Sequence, residues 1–304
     1  MWVEVGLQGR AMRQIILLIA VMALVGCGKK APPAQPETNA EPTPAEKAAA
    51  EKFATDKAAA EKATAIKKVA DEAQANAFVN TLGMKFVPVP GTEVQFCIWE
   101  TRVKDYAEYA AANAGVNASW KNPFPGLKFK QADTHPVVEV SWNDAQAFCA
   151  WLTKKELGEG KIKAGQKYRL PTDAEWSVAV GFGKEKGGTP EEKSEGIEDV
   201  YPWGKEWPPP KGVGNYNQDL KVDNFKYTSP VGSFAANKFG LHDLGGNVWE
   251  WCEDKWNPTD TDRVLRGASW SYYLPHFLLS SYRNSNAPDY SYIYVGFRCV
   301  LANE

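Results

Sequence analysis

Apolar and polar positions are arranged differently in successive parts of the chain. Residues 15–25 form one apolar run, and residues 28–45 are rich in Pro, Ala, Glu and Thr without periodic apolar positions. An Ala-Glu-Lys pattern follows, and beyond residue 82 short apolar runs alternate with Gly, Pro, Asn and aromatic residues. This pattern predicts four segments: a signal segment at residues 1–27, a disordered tether at 28–45, a spacer helix at 46–80 and a compact domain at 82–302.

The spacer helix carries few large apolar side chains. Phe53, Ile66, Val69 and Phe78 do not keep the heptad spacing that a coiled-coil seam requires. A single solvated helix is therefore the favoured interpretation, and a coiled-coil oligomer is the alternative.

The compact domain begins with recognisable strand and helix signals. Met84-Lys-Phe-Val-Pro-Val-Pro90 and Glu93-Val-Gln-Phe-Cys-Ile-Trp99 predict two strands joined by a turn. Helices are predicted to begin at Val103, at Ser141-Trp-Asn-Asp144 and at the capping box Thr172-Asp-Ala-Glu175. Residues 183–240 lack periodic runs, and so long an irregular stretch usually depends on bound ions or forms a functional surface.

Charge and cysteine content exclude some classes of function. The formal net charge of −2 leaves no basic excess to neutralise phosphates, so nucleic acid is not expected as a partner. The three histidines are scattered, and the five cysteines, at 27, 97, 149, 252 and 299, show no CxxC spacing. A histidine-rich metal site or a zinc module is therefore not expected.

The N-terminal segment predicts the compartment. Arg13 precedes an apolar run that is too short to remain as a membrane-spanning helix. Leu24-Val-Gly-Cys27 resembles a bacterial lipobox, in which lipidated Cys27 becomes the mature N-terminus. We therefore expect a lipid anchor in the bacterial cell envelope, at the outer membrane or cell surface. An ordinary secretory signal with an incidental cysteine is the alternative, and either one allows disulfides to form.

Six further motifs occur in order along the compact domain: Pro136-Val-Val-Glu-Val-Ser-Trp-Asn-Asp-Ala-Gln-Ala-Phe-Cys149, Tyr168-Arg-Leu-Pro-Thr-Asp-Ala-Glu-Trp176, Tyr201-Pro-Trp-Gly204, Gly240-Leu-His-Asp-Leu-Gly-Gly-Asn-Val-Trp-Glu-Trp251, Arg263-Val-Leu-Arg-Gly-Ala-Ser-Trp270 and Gly296-Phe-Arg298. Together they resemble the sulfatase-modifying-factor family, whose type member is the formylglycine-generating enzyme. The resemblance implies an α+β fold, a loop-rich variant of the C-type lectin fold with few helices and short antiparallel sheets.

The resemblance also implies a chemistry whose metal ligands are missing here. The family's enzyme oxidises a sulfatase cysteine to formylglycine with copper held by two cysteine thiolates, which suit Cu(I). That pair would follow Ser269-Trp270, yet no cysteine occurs between 252 and 299. A related branch is an iron enzyme, but its histidines come from a helical domain with no counterpart here. Copper and catalysis are therefore not expected, although Ser269 and Trp249 remain as remnants of the pocket.

Two calcium sites are a further implication of the resemblance, since calcium takes hard oxygen ligands. One site would use the side chains of Asp243 and Glu250 with the carbonyls of Gly246 and Val248. The other would use the side chains of Asn215 and Asp223 with the carbonyls of Tyr216 and Phe225. The alternative is that Asn247 and Glu250 only hydrogen-bond a tight turn.

The same resemblance pairs Cys149 with Cys299 in a disulfide between the first long helix and the last strand. Cys97 and Cys252 remain. They form either a second disulfide or two buried thiols.

Residues 271–295 have an unusual composition that predicts a binding surface. They contain half of the twelve tyrosines and lack Lys, Glu, Gln, Met and Trp. Tyr together with Ser and Asn is typical of antibody binding sites. The segment also resembles the variable region of diversity-generating-retroelement target proteins, in which adenine mutagenesis of Asn codons yields this residue set. The alternatives are a Tyr-rich strand buried in an ordinary core and a static ligand site.

Three hypotheses for function follow. The favoured one is a catalytically inactive, lipid-anchored display module that binds a protein or surface ligand through these residues: Tyr272, Tyr273, His276, Tyr290, Tyr292 and Tyr294. The second is an oxidoreductase of the formylglycine-generating type or a divergent non-heme metal enzyme. The third is a purely structural envelope protein.

Overall fold

The computed structural model describes residues 43–183, 185–195 and 199–303. The predicted signal segment with Cys27, and the tether up to residue 42, lie outside these residues. The chain divides into two units, residues 1–51 and residues 52–304, and the contacts given below belong to the second. Within the described residues, no helix has both the length and the apolarity needed to cross a bilayer.

Helix α1 (Pro44–Ala75) occupies most of the predicted spacer, and its residues are mostly exposed. Its end is different, because Ala70 is buried and the Gln74 Nε2 donates to the Gly240 carbonyl at 2.8 Å. The small Ala side chains allow the helix backbone to approach the domain closely. The prediction of a wholly solvated spacer is therefore wrong for the last two turns.

The first sheet has the strand order β1-β2-β3-β9-β4, and its neighbours are antiparallel. Its strands are β1 (Phe78–Val79), β2 (Lys85–Pro88), β3 (Val94–Cys97), β4 (Gln166–Arg169) and β9 (Val300–Asn303). Because Phe78 of β1 pairs with Phe86 of β2, the domain begins before the predicted boundary at residue 82.

Three helices of the domain begin where the sequence predicts, and a fourth, short helix was not predicted. They are α2 (Val103–Ala112), α3 (Trp142–Gly158), α4 (Asp173–Ala179) and a short α5 (Pro190–Glu195). Ser141 and Asp144 form a capping box at the start of α3, and Thr172 and Glu175 form another at the start of α4. These reciprocal hydrogen bonds satisfy backbone groups that an isolated helix start leaves unpaired.

The second sheet carries the C-terminal motifs in the order β7-β6-β5-β8. Its strands are β5 (Trp249–Lys255), β6 (Arg263–Arg266), β7 (Asn284–Asn286) and β8 (Val295–Gly296). Strand β5 runs parallel to β8, and the Trp249 N–H donates to the Tyr294 carbonyl at 2.8 Å. This pairing places the tyrosine-rich segment directly beside Trp249. The short sheets, few helices and long loops confirm the predicted α+β class.

Candidate ligand-binding site

Four of the six predicted contact residues form one continuous aromatic group, here called the tyrosine cluster: Tyr272, Tyr290, Tyr292 and Tyr294. The rings of Tyr290 and Tyr292 are nearly parallel with centroids 6.1 Å apart, and those of Tyr292 and Tyr294 are 4.6 Å apart. Tyr272 joins through a ring contact of 6.0 Å to Tyr294. Tyr292 is 44% exposed, so the cluster presents an aromatic surface to solvent.

Tyr272 lies at the base of the cluster. Its ring meets the fully buried Trp249 edge-on at 5.3 Å and Phe277 at 5.1 Å. Burial raises the pKa of the Tyr272 hydroxyl. Tyr282, which the sequence did not single out, contacts Trp249 at 6.1 Å. Tyr272 therefore serves mainly as packing beneath the exposed rings, a role that composition could not separate from ligand contact.

His276 and Tyr273 lie outside the cluster. The His276 ring is exposed and 3.9 Å from Phe277, through which it reaches Tyr272. Tyr273 is 47% exposed and makes no ring contact with any described residue. The structure therefore brings His276 to the border of the cluster and leaves Tyr273 apart.

Glu139 is a member of this site that sequence reasoning missed. Its N–H donates to the Tyr292 carbonyl at 3.1 Å, and its carboxylate accepts from the Ser291 Oγ at 3.4 Å. Partial burial raises the pKa of this carboxyl, and the hydrogen bond from Ser291 opposes that shift. The signal that the sequence offered was a single charged residue between two valines, Val138 and Val140, which the structure shows to be buried.

Ser269 and Trp249, which the resemblance predicts as remnants of the family's pocket, are buried next to Tyr272. Ser269 is fully buried, its Oγ lies 3.1 Å from the Ser271 Oγ, and its carbonyl accepts from the Tyr272 N–H. The buried Trp249 Nε1 has no hydrogen-bond partner among the described residues. Since Tyr272 packs on Trp249, aromatic rings occupy the space beside these remnants.

The first predicted calcium site has one free carboxylate oxygen. The Asp243 Oδ2 accepts from the Gly232 N–H at 2.6 Å, while the buried Oδ1 has no partner among the described residues. Both oxygens of the Glu250 carboxylate accept from Arg298, at 2.6 Å and 2.9 Å, so Glu250 is already paired with a cationic side chain.

Glu100 is a second carboxylate at this site that the sequence did not indicate. It is fully buried, its Oε2 accepts from the Asn247 Nδ2 at 3.1 Å, and its Oε1 is unpartnered in the described part of the chain. Burial and the neighbouring Asp243 and Glu250 raise the pKa of Glu100. Three buried carboxylates therefore face one buried guanidinium, an arrangement that a cation would stabilise.

The second predicted calcium site is partly satisfied by backbone groups. The Asp223 carboxylate accepts from the Tyr216 N–H at 2.9 Å and from the Phe225 N–H at 2.8 Å. The buried Asn215 Oδ1 has no partner among the described residues. A Cβ at Gly246, whose φ is +87°, would overlap the Asn215 carbonyl, so this glycine allows the two segments with the predicted calcium ligands to meet.

Main-chain oxygens would have to complete either site. In the described ranges, no group of three or more His, Cys, Asp or Glu side chains is placed to hold a metal ion. The orphaned oxygens of Asp243 and Asn215 fit a hard cation, with the carbonyls named above as its other ligands.

The four cysteines of the domain are all buried. The Cys149 and Cys299 sulfurs lie 3.6 Å apart, close enough for a small adjustment to form the predicted disulfide. Cys97 and Cys252 belong to different hydrophobic clusters, and no sulfur contact joins them in the described residues. Burial raises the pKa of the Cys97 thiol to about 12, so this arrangement favours two inert thiols.

Two known proteins are similar to the chain in sequence. It is 34% identical over 213 residues to the formylglycine-generating enzyme of Thermomonospora curvata, covering 60% of this chain and 61% of that protein. It is 37% identical over 200 residues to the inactive C-alpha-formylglycine-generating enzyme 2 of Bos taurus, covering 60% and 56%. The chain therefore matches less than two thirds of each relative's length.

The solved structure of Treponema denticola variable protein 1 has a similar fold. It superposes with a TM-score of 0.50 and 18% identity, covering 71% of this chain and 94% of that one. At this identity the likeness concerns the fold alone, and it supports the loop-rich, C-type-lectin-like architecture. The model of the sulfatase-modifying factor enzyme 1-like domain matches residues 37–303. The chain therefore belongs to the sulfatase-modifying factor enzyme 1-like family.

Proposed function

We propose that this protein is a lipid-anchored envelope protein whose domain binds a protein or surface ligand through the tyrosine cluster and does not oxidise cysteine. The observation that carries the proposal is the partly exposed cluster packed over Trp249, next to a segment without the two thiolates that copper requires. Rigid aromatic rings provide contact area at low cost in conformational entropy.

The binding test uses a random peptide library displayed on phage and the purified full chain. Clones that bind the wild-type protein are compared on Tyr290→Ser/Tyr292→Ser, with Tyr201→Ser as a tyrosine change in a buried position outside the cluster. We expect enriched clones that lose binding only with the double variant. Clones that bind the double variant as well as the wild-type protein would contradict binding through the cluster.

The competing function is oxidation of the formylglycine-generating type. A sulfatase-type cysteine peptide is incubated with the protein, copper and oxygen, and aldehyde formation is followed by mass spectrometry. We expect no formylglycine, because no thiolate pair holds Cu(I). Turnover above the copper-only background would establish the enzyme hypothesis instead.

Diversification by a retroelement is a part of the proposal with its own support, the residue set of segment 271–295. It predicts a reverse-transcriptase gene and a near-identical template repeat beside the gene for this chain. Neighbouring DNA without either would leave a static ligand site.

The lipid anchor is tested by metabolic labelling with palmitate. We expect the wild-type protein to take up label and the Cys27→Ser variant to take up none. Calcium is proposed as a structural ion near Asp243 and Asn215, on the support of their orphaned oxygens.

A further inference from the structure

One acidic residue, Glu139, is hydrogen-bonded to the segment that carries the tyrosine cluster. Glu139 is fixed against it by two contacts: its N–H donates to the Tyr292 carbonyl at 3.1 Å, and its carboxylate accepts from Ser291 at 3.4 Å. Ser291 lies between Tyr290 and Tyr292, whose parallel rings are 6.1 Å apart. The Glu139 carboxylate therefore contacts the segment that carries these two rings, through the residue between them.

Glu139 is held there in an unfavourable backbone conformation. Its φ is +58°, in the left-handed region that residues with a Cβ rarely adopt. Its carbonyl also accepts from the Ser119 Oγ at 3.2 Å, so the surrounding structure fixes this conformation. Strained residues of this kind are concentrated where a side chain must be placed for function.

In the described part of the chain, no cationic side chain pairs with Glu139. Among the described residues, its carboxylate is paired only with the Ser291 hydroxyl. Lys121, on the short helix Ser119–Lys121 that contacts Glu139, instead places its ammonium group 5.6 Å from the Trp120 ring. The aromatic faces of the cluster add further negative potential. The site as a whole therefore complements a cation.

We propose that the tyrosine cluster and Glu139 together receive the guanidinium group of an arginine presented by a protein ligand. This inference rests on the proposed ligand-binding function and specifies its ligand. A guanidinium is planar, so it stacks on a tyrosine face while its N–H groups bind a carboxylate side by side. An ammonium group offers no such plane.

The test compares three blocked amino acids as probes of the full chain: N-acetyl-arginine methylamide, its lysine analogue and its neutral citrulline analogue. Binding is followed by NMR shifts of the tyrosine ring protons. We expect the arginine probe to bind about tenfold more tightly than citrulline, the size of one cation–aromatic contact with its carboxylate partner. Lysine should lie between them.

Two variants test the role of the carboxylate. Glu139→Gln keeps the shape and removes the charge, so it should weaken arginine binding about tenfold and leave citrulline binding unchanged. Glu139→Gly should lose the same affinity while unfolding at a higher temperature, because glycine adopts φ of +58° without strain. Glu93→Gln, at the exposed β2–β3 turn, is the matched control and should change nothing.

The outcomes separate this inference from the proposed function. Equal affinity for arginine and citrulline, no shift with any probe, or an unaffected Glu139→Gln variant would each overturn it. If phage clones still depended on Tyr290 and Tyr292 in those cases, the ligand-binding function would stand with a neutral ligand. Clones rich in arginine that fail on Glu139→Gln would support both.

Discussion

Arg298 binds both carboxylate oxygens of Glu250, with its Nη2 2.6 Å from Oε1 and its Nε 2.9 Å from Oε2. Both side chains are fully buried. The same guanidinium donates to the carbonyls of His242 and Cys97, at 2.8 Å and 3.1 Å. The arginine of the Gly-Phe-Arg motif therefore joins both sheets to the loop that precedes β5.

Removing this arginine should destabilise the domain strongly. In Arg298→Met we expect the free energy of unfolding to fall by about 3–5 kcal/mol, because Glu250 remains buried without its partner. Urea unfolding followed by tryptophan fluorescence measures this loss. Adding Glu250→Gln to the variant should restore part of the stability, and a double variant no better than the single one would contradict the explanation.

Calcium should raise the unfolding temperature. At a concentration a hundred times its dissociation constant, an ion that binds only the folded state stabilises by about 2.7 kcal/mol. We expect this shift in the wild-type protein, its reversal by a chelator and its reduction in Asp243→Ala. Asp289→Asn, an exposed carboxylate change, serves as the control. An unfolding temperature that is the same with calcium and with chelator would count against both sites.

Two tyrosines of the cluster should differ in their effect on stability. Tyr272→Ser removes a ring packed on the buried Trp249, and we expect a loss of about 2–4 kcal/mol. Tyr292→Ser removes an exposed ring and should change stability by less than about 0.5 kcal/mol. Thermal unfolding of both variants gives the comparison. Similar losses would show that Tyr292 belongs to the core.

Oxidation should involve only one pair of cysteines. We expect peptide mapping of protein produced in an oxidising compartment to find Cys149 joined to Cys299, with Cys97 and Cys252 as thiols, because among these four cysteines only the first pair of sulfurs is in contact. Reduction should then lower the free energy of unfolding by about 2–4 kcal/mol. In Cys252→Ser, reduction should still lower the free energy of unfolding. A variant whose stability no longer changed on reduction would show that Cys252 takes part in the disulfide.

Stability should decline in mild acid because of His135. Burial lowers the pKa of this side chain below 6.5, and its Nδ1 lies 2.9 Å from the Thr228 Oγ1. The contribution of the neutral ring is therefore complete above pH 6.5 and is lost as the pH falls through the folded-state pKa. When the unfolding temperature is measured from pH 5 to 7.5, it should change less with pH in His135→Gln than in the wild-type protein. The exposed His276→Gln should keep the wild-type slope.

Local sequence patterns determined the helices and the family. The capping pairs Ser141–Asp144 and Thr172–Glu175 fix two helix starts through neighbours three residues apart, so a single sequence suffices to find them. The six ordered motifs identified the family for a similar reason, since each is a short contiguous run. The missing cysteine pair was likewise visible without any structure.

Tertiary structure alone decided which predicted residues act together. Glu139 and Tyr292 are far apart in the chain, and only the packing of the Pro-Val-Val-Glu segment against the one before β8 joins them. The same holds for Glu100 beside Asn247 and for Arg298 on Glu250. Periodicity and capping describe contacts within a few residues, whereas a binding site depends on distances between segments that are set when the whole core forms.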